Sequence, residues 1–210
     1  MSKAEETKKK IVTLVNEAVN MKEQVAIYCD MMQRISLEGK ITPVIRFAYE
    51  NFYGMKQAGL PQNWRDRYFE KANEYLRNIN KSILSFDNLM DEIGVCDEKS
   101  IQPVFASKLL HTLNNNEPIY DSRVRNFLET GDPNGGNLEK RKKSAIKIYK
   151  ERIKSFYCAG NHSALKELML HTFNENYAPV DSHYIISDTK KIDFIIWALG
   201  KRHKISEFDY

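Results

Sequence analysis

The sequence is poor in residues that staple, break or insert a chain. Its three cysteines, Cys29, Cys96 and Cys158, are odd in number and far apart, with no CxxC pair. Such spacing encodes neither a disulfide framework nor a zinc knuckle, and it reads as free thiols in a reducing compartment. Long apolar runs are missing: a stretch such as Phe194–Leu199 is far too short for the roughly 20 residues that span a bilayer. The N-terminal MSKAEETKKKIVTLV carries charge but neither an apolar core nor a small-residue cleavage site, so it does not read as a signal peptide. The expected location is the cytoplasm, with no membrane partner.

Several catalytic signatures are also absent. No GxxxxGK[ST] is found, and the glycine-rich GDPNGG lacks the lysine that would reach a phosphate. No HExxH is found either. His111, His162, His171, His183 and His203 lack metal-ligand spacing, and nine residues separate His162 from His171. A GxSxG elbow, a cysteine beside an obvious base and a GxGxxG fingerprint are lacking too. The expectation is therefore no metal and no cofactor.

What remains is an ordinary globular balance, 42% hydrophobic and 29% charged over 210 residues, enough for one sizeable core. The six prolines and nine glycines fall almost wholly between segments of helical period. Ile11, Leu14, Val15, Ala18 and Val19 form one stripe over 4–20, opposite Lys8, Lys9, Asn16 and Glu17. Further helices are expected over Lys22–Ile35, from Thr42-Pro43 to Gly59, and over Gln62–Asn80. A short helix begins at Ser85, and others cover IQPVFASKLLHTL, SRVRNFLE, 138–158 and a segment from His162 or Ser163 to about Asn176. A last helix is capped by Ser187-Asp188. HYIIS is the only strand candidate. The expected fold is all-α, a single domain over 1–210 with about eight to ten helices. Two lobes, about 1–95 and 96–210, would share one core.

A single tract carries a functional signal, FASKLLHTLNNNEPIYDSRV, from Phe105 to Val124. It reads as helix, polar turn and second helix, with Ala106, Leu109, Leu110 and Leu113 as the buried stripe. Asp121 stands immediately before the second helix, where a carboxylate accepts first-turn N–H bonds and meets the positive dipole end. An N-cap needs nothing more. The order Ala106-Ser107-Lys108-Leu109-Leu110, then Pro118-Ile119-Tyr120-Asp121, also resembles the helix-hairpin-helix base-excision DNA glycosylases. In that family a proline-apolar-apolar-aspartate tetrad opens a helix and its aspartate is catalytic. The tract is similar as well to a looser group of bacterial proteins with an oxoguanine-glycosylase-like fold. The resemblance covers roughly 30 to 40 residues.

It implies a helix-hairpin-helix glycosylase-like fold, double-stranded DNA as partner and Asp121 as the catalytic residue. Tyr120, Lys108 and Arg123 would be substrate contacts, Tyr120 as a face for an extruded base or else as core. The chain departs from the family twice. CDEKSIQPVF stands where a glycine hairpin would grip a phosphate. Val104 occupies the Schiff-base lysine position, and Lys108 lies two residues after the alanine, about half a helical turn around. The implied mechanism is thus a monofunctional one: cleaving an N-glycosidic bond builds positive charge on the sugar, and a carboxylate stabilises it.

Residues 138–158 hold eight basic side chains against Glu139 and Glu151, an excess larger than the net +4 of the whole chain. Lys140, Arg141, Lys142, Lys143, Lys147 and Lys150 are candidate DNA contacts along a phosphate backbone, or else a solvated face. Trp197 reads as a core anchor, and Asp193, between Ile192 and Phe194, as partly buried. The competing reading of the whole chain is a non-enzymatic helical interaction module, regulatory or in phage defence, without a concave site at Asp121.

Overall fold

A computed structural model describes residues 3–17, 21–78, 84–97, 100–158, 160, 162–177, 184–200 and 202–208. Ala18, Val19 and His183 lie outside them. The chain is mostly helical, as the periodicity requires. Helices α1 (Lys3–Glu17), α2 (Met21–Glu38), α3 (Pro43–Phe52), α4 (Gln62–Arg77) and α5 (Phe86–Glu92) form the N-terminal part. There follow α6 (Pro103–Leu113), α7 (Ser122–Phe127), α8 (Leu138–Ile148), α9 (Ser155–Cys158), α10 (Ser163–Tyr177) and α11 (Asp188–Leu199). A 3₁₀ turn, Ile205–Phe208, comes last. Among the described residues no helix is long and apolar enough to cross a membrane.

Helix α6 is the centre. Every residue from Phe105 to Leu113 is buried, so this helix has no wet face and its polar side chains need internal partners. Ser107 Oγ donates to Val104 O and accepts from Tyr120 N, each at 2.8 Å. Thr112 Oγ1 donates to Lys108 O at 2.8 Å and lies 3.1 Å from the Tyr49 hydroxyl. Around α6 pack α4, α5 and α8. Helix α11 packs on α7, α10 and α1. Gly200 closes that layer: a Cβ there would fall on the carbonyl of Arg123, so only glycine lets α11 and α7 meet.

Three elements differ from the sequence expectation. Helix α3 stops at Phe52 rather than Gly59, because Gly54 and Gly59 take left-handed φ of 68° and 67° and turn the chain. Before α6, where no strand is expected, the chain forms a two-stranded antiparallel ribbon, β1 (Val95–Asp97) and β2 (Ser100–Ile101). Side chains of α4 hold it, Trp64 Nε1 and Arg67 Nη2 donating to Val95 O at 3.1 and 3.0 Å. The described part of HYIIS, Tyr184–Ser187, is not a strand.

The third difference lies in the helix expected over 138–158, which is interrupted by a π-helical turn, Tyr149–Lys154. The wider turn buries both Tyr149 and Ile153. The Tyr149 hydroxyl donates to Glu117 Oε2 at 3.0 Å and Pro118 O at 3.2 Å, and Lys154 Nζ donates to both Glu117 oxygens at 2.6 and 2.9 Å. The loop leading to Asp121 is thereby tied down from behind.

Candidate functional site

Asp121 is the N-cap of α7. Its backbone is extended, and Oδ1 accepts from Arg123 N at 2.8 Å. The other oxygen is free of that duty. Oδ2 lies 3.9 Å from Lys108 Nζ, and both residues line a cavity of about 250 Å³. Capping and facing a pocket are thus divided between the two oxygens of one carboxylate.

Lys108 reaches the cavity from α6. Its ammonium donates to Tyr53 O at 3.1 Å, a carbonyl that the turn ending α3 leaves available. The rings of Phe105 and Tyr53 lie 4.9 and 5.1 Å from Nζ. Burial pulls the amine down to about 8; the carboxylate of Asp121 opposes this and the charge of Lys190 adds to it.

The opposite wall comes from α11. Lys190, Asp193, Phe194 and Trp197 all line the cavity. Their spacing of i, i+3, i+4 and i+7 puts them on one helical face. Lys190 Nζ is 2.6 Å from Asp193 Oδ2, with both residues buried. Burial raises the Asp193 carboxyl, against the lowering by Lys190. Phe52, Tyr53 and Ile119 complete the apolar lining, and Gln24 and Asn51 contribute amides. The cavity therefore has aromatic walls and two amine–carboxylate pairs, one tight and one loose. Among the described residues no group of three His, Cys, Asp or Glu is placed to hold a metal ion.

The other candidates are placed less uniformly. Arg123 does not line the cavity, but its guanidinium stacks 3.6 Å over the Trp197 ring and donates to Trp197 O at 2.9 Å, bracing that wall. Of the two readings of Tyr120, the core one holds. Its ring is fully buried, stacked on Phe86 at 6.2 Å and covered by Arg125, so it belongs to the core and offers no face to a ligand. Arg125, which covers that ring, pairs with Asp132.

The basic helix needs correction. Lys142, largely covered, pairs with Asp91 of α5 at 2.5 Å and is spent on holding two elements together, whereas Lys150 pairs with Asp87 at 2.6 Å but stays exposed. Lys143 and Lys147 make only looser pairs with Glu139 and Glu151 at 3.7 and 3.9 Å and stay exposed, as does Lys140. Arg141 is half-buried. None of these residues lines the cavity.

Sequence reasoning missed Lys190 and took Trp197 for a core anchor. The signal was present: two charges at i and i+3 fall on the apolar stripe of α11, where a solvated face would have put them opposite. Compared with family models, curated proteins and solved structures, the chain matches none.

Proposed function

We propose that this cavity is an active site for cleavage of an N-glycosidic bond, taking one extruded base from double-stranded DNA, as the glycosylase resemblance implies. The observation that carries the reading is the convergence of Asp121 Oδ2 and Lys108 Nζ, 3.9 Å apart, on one aromatic-walled cavity. Its volume of about 250 Å³ lies just below the roughly 300–1,000 Å³ of drug-sized ligand sites, a scale that suits a single ring system. Phe52, Phe194 and Trp197 would receive the base. Asp121 would stabilise the positive charge that develops on the sugar.

Lys108 changes the expected mechanism. Its register excludes the family's Schiff-base position, yet a long side chain brings the amine into the site from the next turn. Near pH 8 a large fraction is uncharged and nucleophilic. The amine nitrogen bonds to C1′ as the C1′–base bond breaks; the base leaves with the bonding pair and takes up a proton, and the amine loses one. The C1′–O4′ bond then opens, O4′ taking a proton, and leaves the protonated imine that borohydride reduces.

The test is a panel of damaged-base duplexes with borohydride trapping. Wild type should release base and form a trapped adduct. Asp121→Asn should lose about 10²–10³-fold in rate, and Lys108→Gln should lose the adduct. Silence of the wild type across the panel would sink the reading.

A second reading has its own support. Ile27 and Leu37 on α2, with Val44 and Phe47 on α3, are exposed apolar side chains on adjoining helices. An interaction module would use them, and substituting Phe47 by Ser would then abolish an oligomer seen by sedimentation.

A further inference from the structure

Lys190 and Asp193 take no part in the chemistry assigned to Asp121 and Lys108, yet they line the same cavity. Both are nearly inaccessible, at 3% and 5% exposure. The ammonium of Lys190 lies among aromatic rings, 4.5 Å from Phe194 and 5.0 Å from Tyr28. A buried ion pair recovers little more than its own desolvation, and an apolar pair of the same volume is often as stable. Its presence on a cavity wall therefore calls for a purpose other than stability.

The surroundings of Lys108 supply one. Asp121 stands 3.9 Å away and spends its nearer duty on the α7 cap, while the hydrogen bond of Lys108 goes to an uncharged carbonyl. Asp193 is held by Lys190 at 2.6 Å. We propose that Lys190 and Asp193 are positioning residues that set the charge of Lys108, Lys190 keeping Asp193 occupied and adding a like charge to the cavity. The proposal takes Lys108 to be the reacting amine of the glycosidic reading. Other titratable groups around this cluster are Tyr28 on α2, Tyr53 at the end of α3, His111 on α6 and Tyr157 on α9; burial holds the three phenols protonated, well above their ordinary value, and the imidazole neutral. The charges that act on Lys108 are therefore those of Asp121, Asp193 and Lys190.

The two residues then act with opposite sign. Lys190→Gln removes a repelling charge and leaves Asp193 unneutralised, so Lys108 should keep its proton to higher pH. Asp193→Asn leaves Lys190 uncompensated, so Lys108 should lose its proton at lower pH. Each midpoint should move by about one pH unit, the scale on which one nearby charge moves a titration. The measurement is limiting reductive methylation with formaldehyde and cyanoborohydride between pH 6 and 10. Mass spectrometry would follow Lys108, with the exposed Lys143 as internal reference. Each variant decides alone if the other fails to fold: Lys190→Gln must move the midpoint up and Asp193→Asn must move it down. An unmoved midpoint, or a shift of the wrong sign, overturns the proposal. No DNA is involved, so opposite shifts without base release would leave this inference standing and remove the glycosidic reading. Base release without shifts would do the reverse.

Discussion

At the scale of the residue, the position of Asp121 depends on a serine. The chain runs from Pro118 to Asp121 across the back of α6, and the amide of Tyr120 is buried there. Ser107 Oγ accepts that N–H at 2.8 Å while donating to Val104 O, so one hydroxyl serves two backbone groups. Ser107→Ala leaves the Tyr120 N–H without a partner in a dry site. Stability should fall by about 1–3 kcal/mol, the usual cost of a buried unsatisfied donor, and urea unfolding would measure it. Base release should fall as well, since the residue after Tyr120 carries the carboxylate. A neutral effect on both would mean that Asp121 is fixed by its cap alone.

At the scale of the element, the basic helix separates into an inner and an outer set. Lys142, Lys150 and Lys154 answer Asp91, Asp87 and Glu117, while Lys140, Lys143 and Lys147 remain outside. If DNA lies along this helix, the outer set can reach it without giving up a contact to another element. The triple variant Lys140→Gln, Lys143→Gln, Lys147→Gln should lower the slope of log K against log salt by about 2–3 for duplex DNA, near 0.9 per phosphate contact. Stability should stay within about 0.5 kcal/mol, as for exposed substitutions generally. An unchanged slope would assign the helix to solvation. The same helix shows where sequence was legible and where it was not. Its apolar stripe and its charge excess could be counted, but the π turn depends on Tyr149 finding Glu117, a contact 32 positions away. The β ribbon is also tertiary in origin, held by Trp64 and Arg67. Caps, by contrast, are local chemistry: Ser85, Asp121, Asn137 and Ser187 all accept a first-turn N–H as their residue types suggest. For the site, Asp121 and Lys108 could be singled out because they share one tract. The α11 wall could not be joined to them, since nothing local relates position 193 to position 108.

At the scale of the molecule, polar chains through α6 tie the N-terminal helices to the loop that carries Asp121. The Tyr49 and Tyr68 hydroxyls meet at 2.7 Å, and Tyr68 donates to Phe105 O at 3.1 Å. His111 makes the longest of these connections. Its Nδ1 lies 2.7 Å from Glu117 O and its Nε2 2.9 Å from the Tyr28 hydroxyl. A carbonyl only accepts, so Nδ1 carries the proton and Nε2 accepts from Tyr28. This neutral tautomer satisfies both partners, whereas a second proton would face the Tyr28 hydroxyl in a buried site. Burial, with Lys190 adding to it, accordingly pulls His111 down to about 3. The folded value is below the unfolded one of about 6.5, so as pH falls through 6.5 the unfolded chain gains a proton that the folded chain refuses. The contribution of His111 is thus intact above pH 6.5 and drains away towards pH 3, at up to about 1.4 kcal/mol per unit. The window from about 4.5 to 6.5 lies above most carboxylate titration, and the comparison with His111→Gln separates His111 from the other histidines, which titrate there in both proteins. Urea midpoints across this window should fall by about one proton's worth of slope in wild type. His111→Gln should be less stable at about pH 7.5 by about 1–3 kcal/mol, but its slope across the same window should be shallower than that of wild type by that one proton. Parallel slopes in the two proteins would show that His111 accepts its proton in the folded state, and the chain from Tyr28 to Glu117 would then not be the neutral one described.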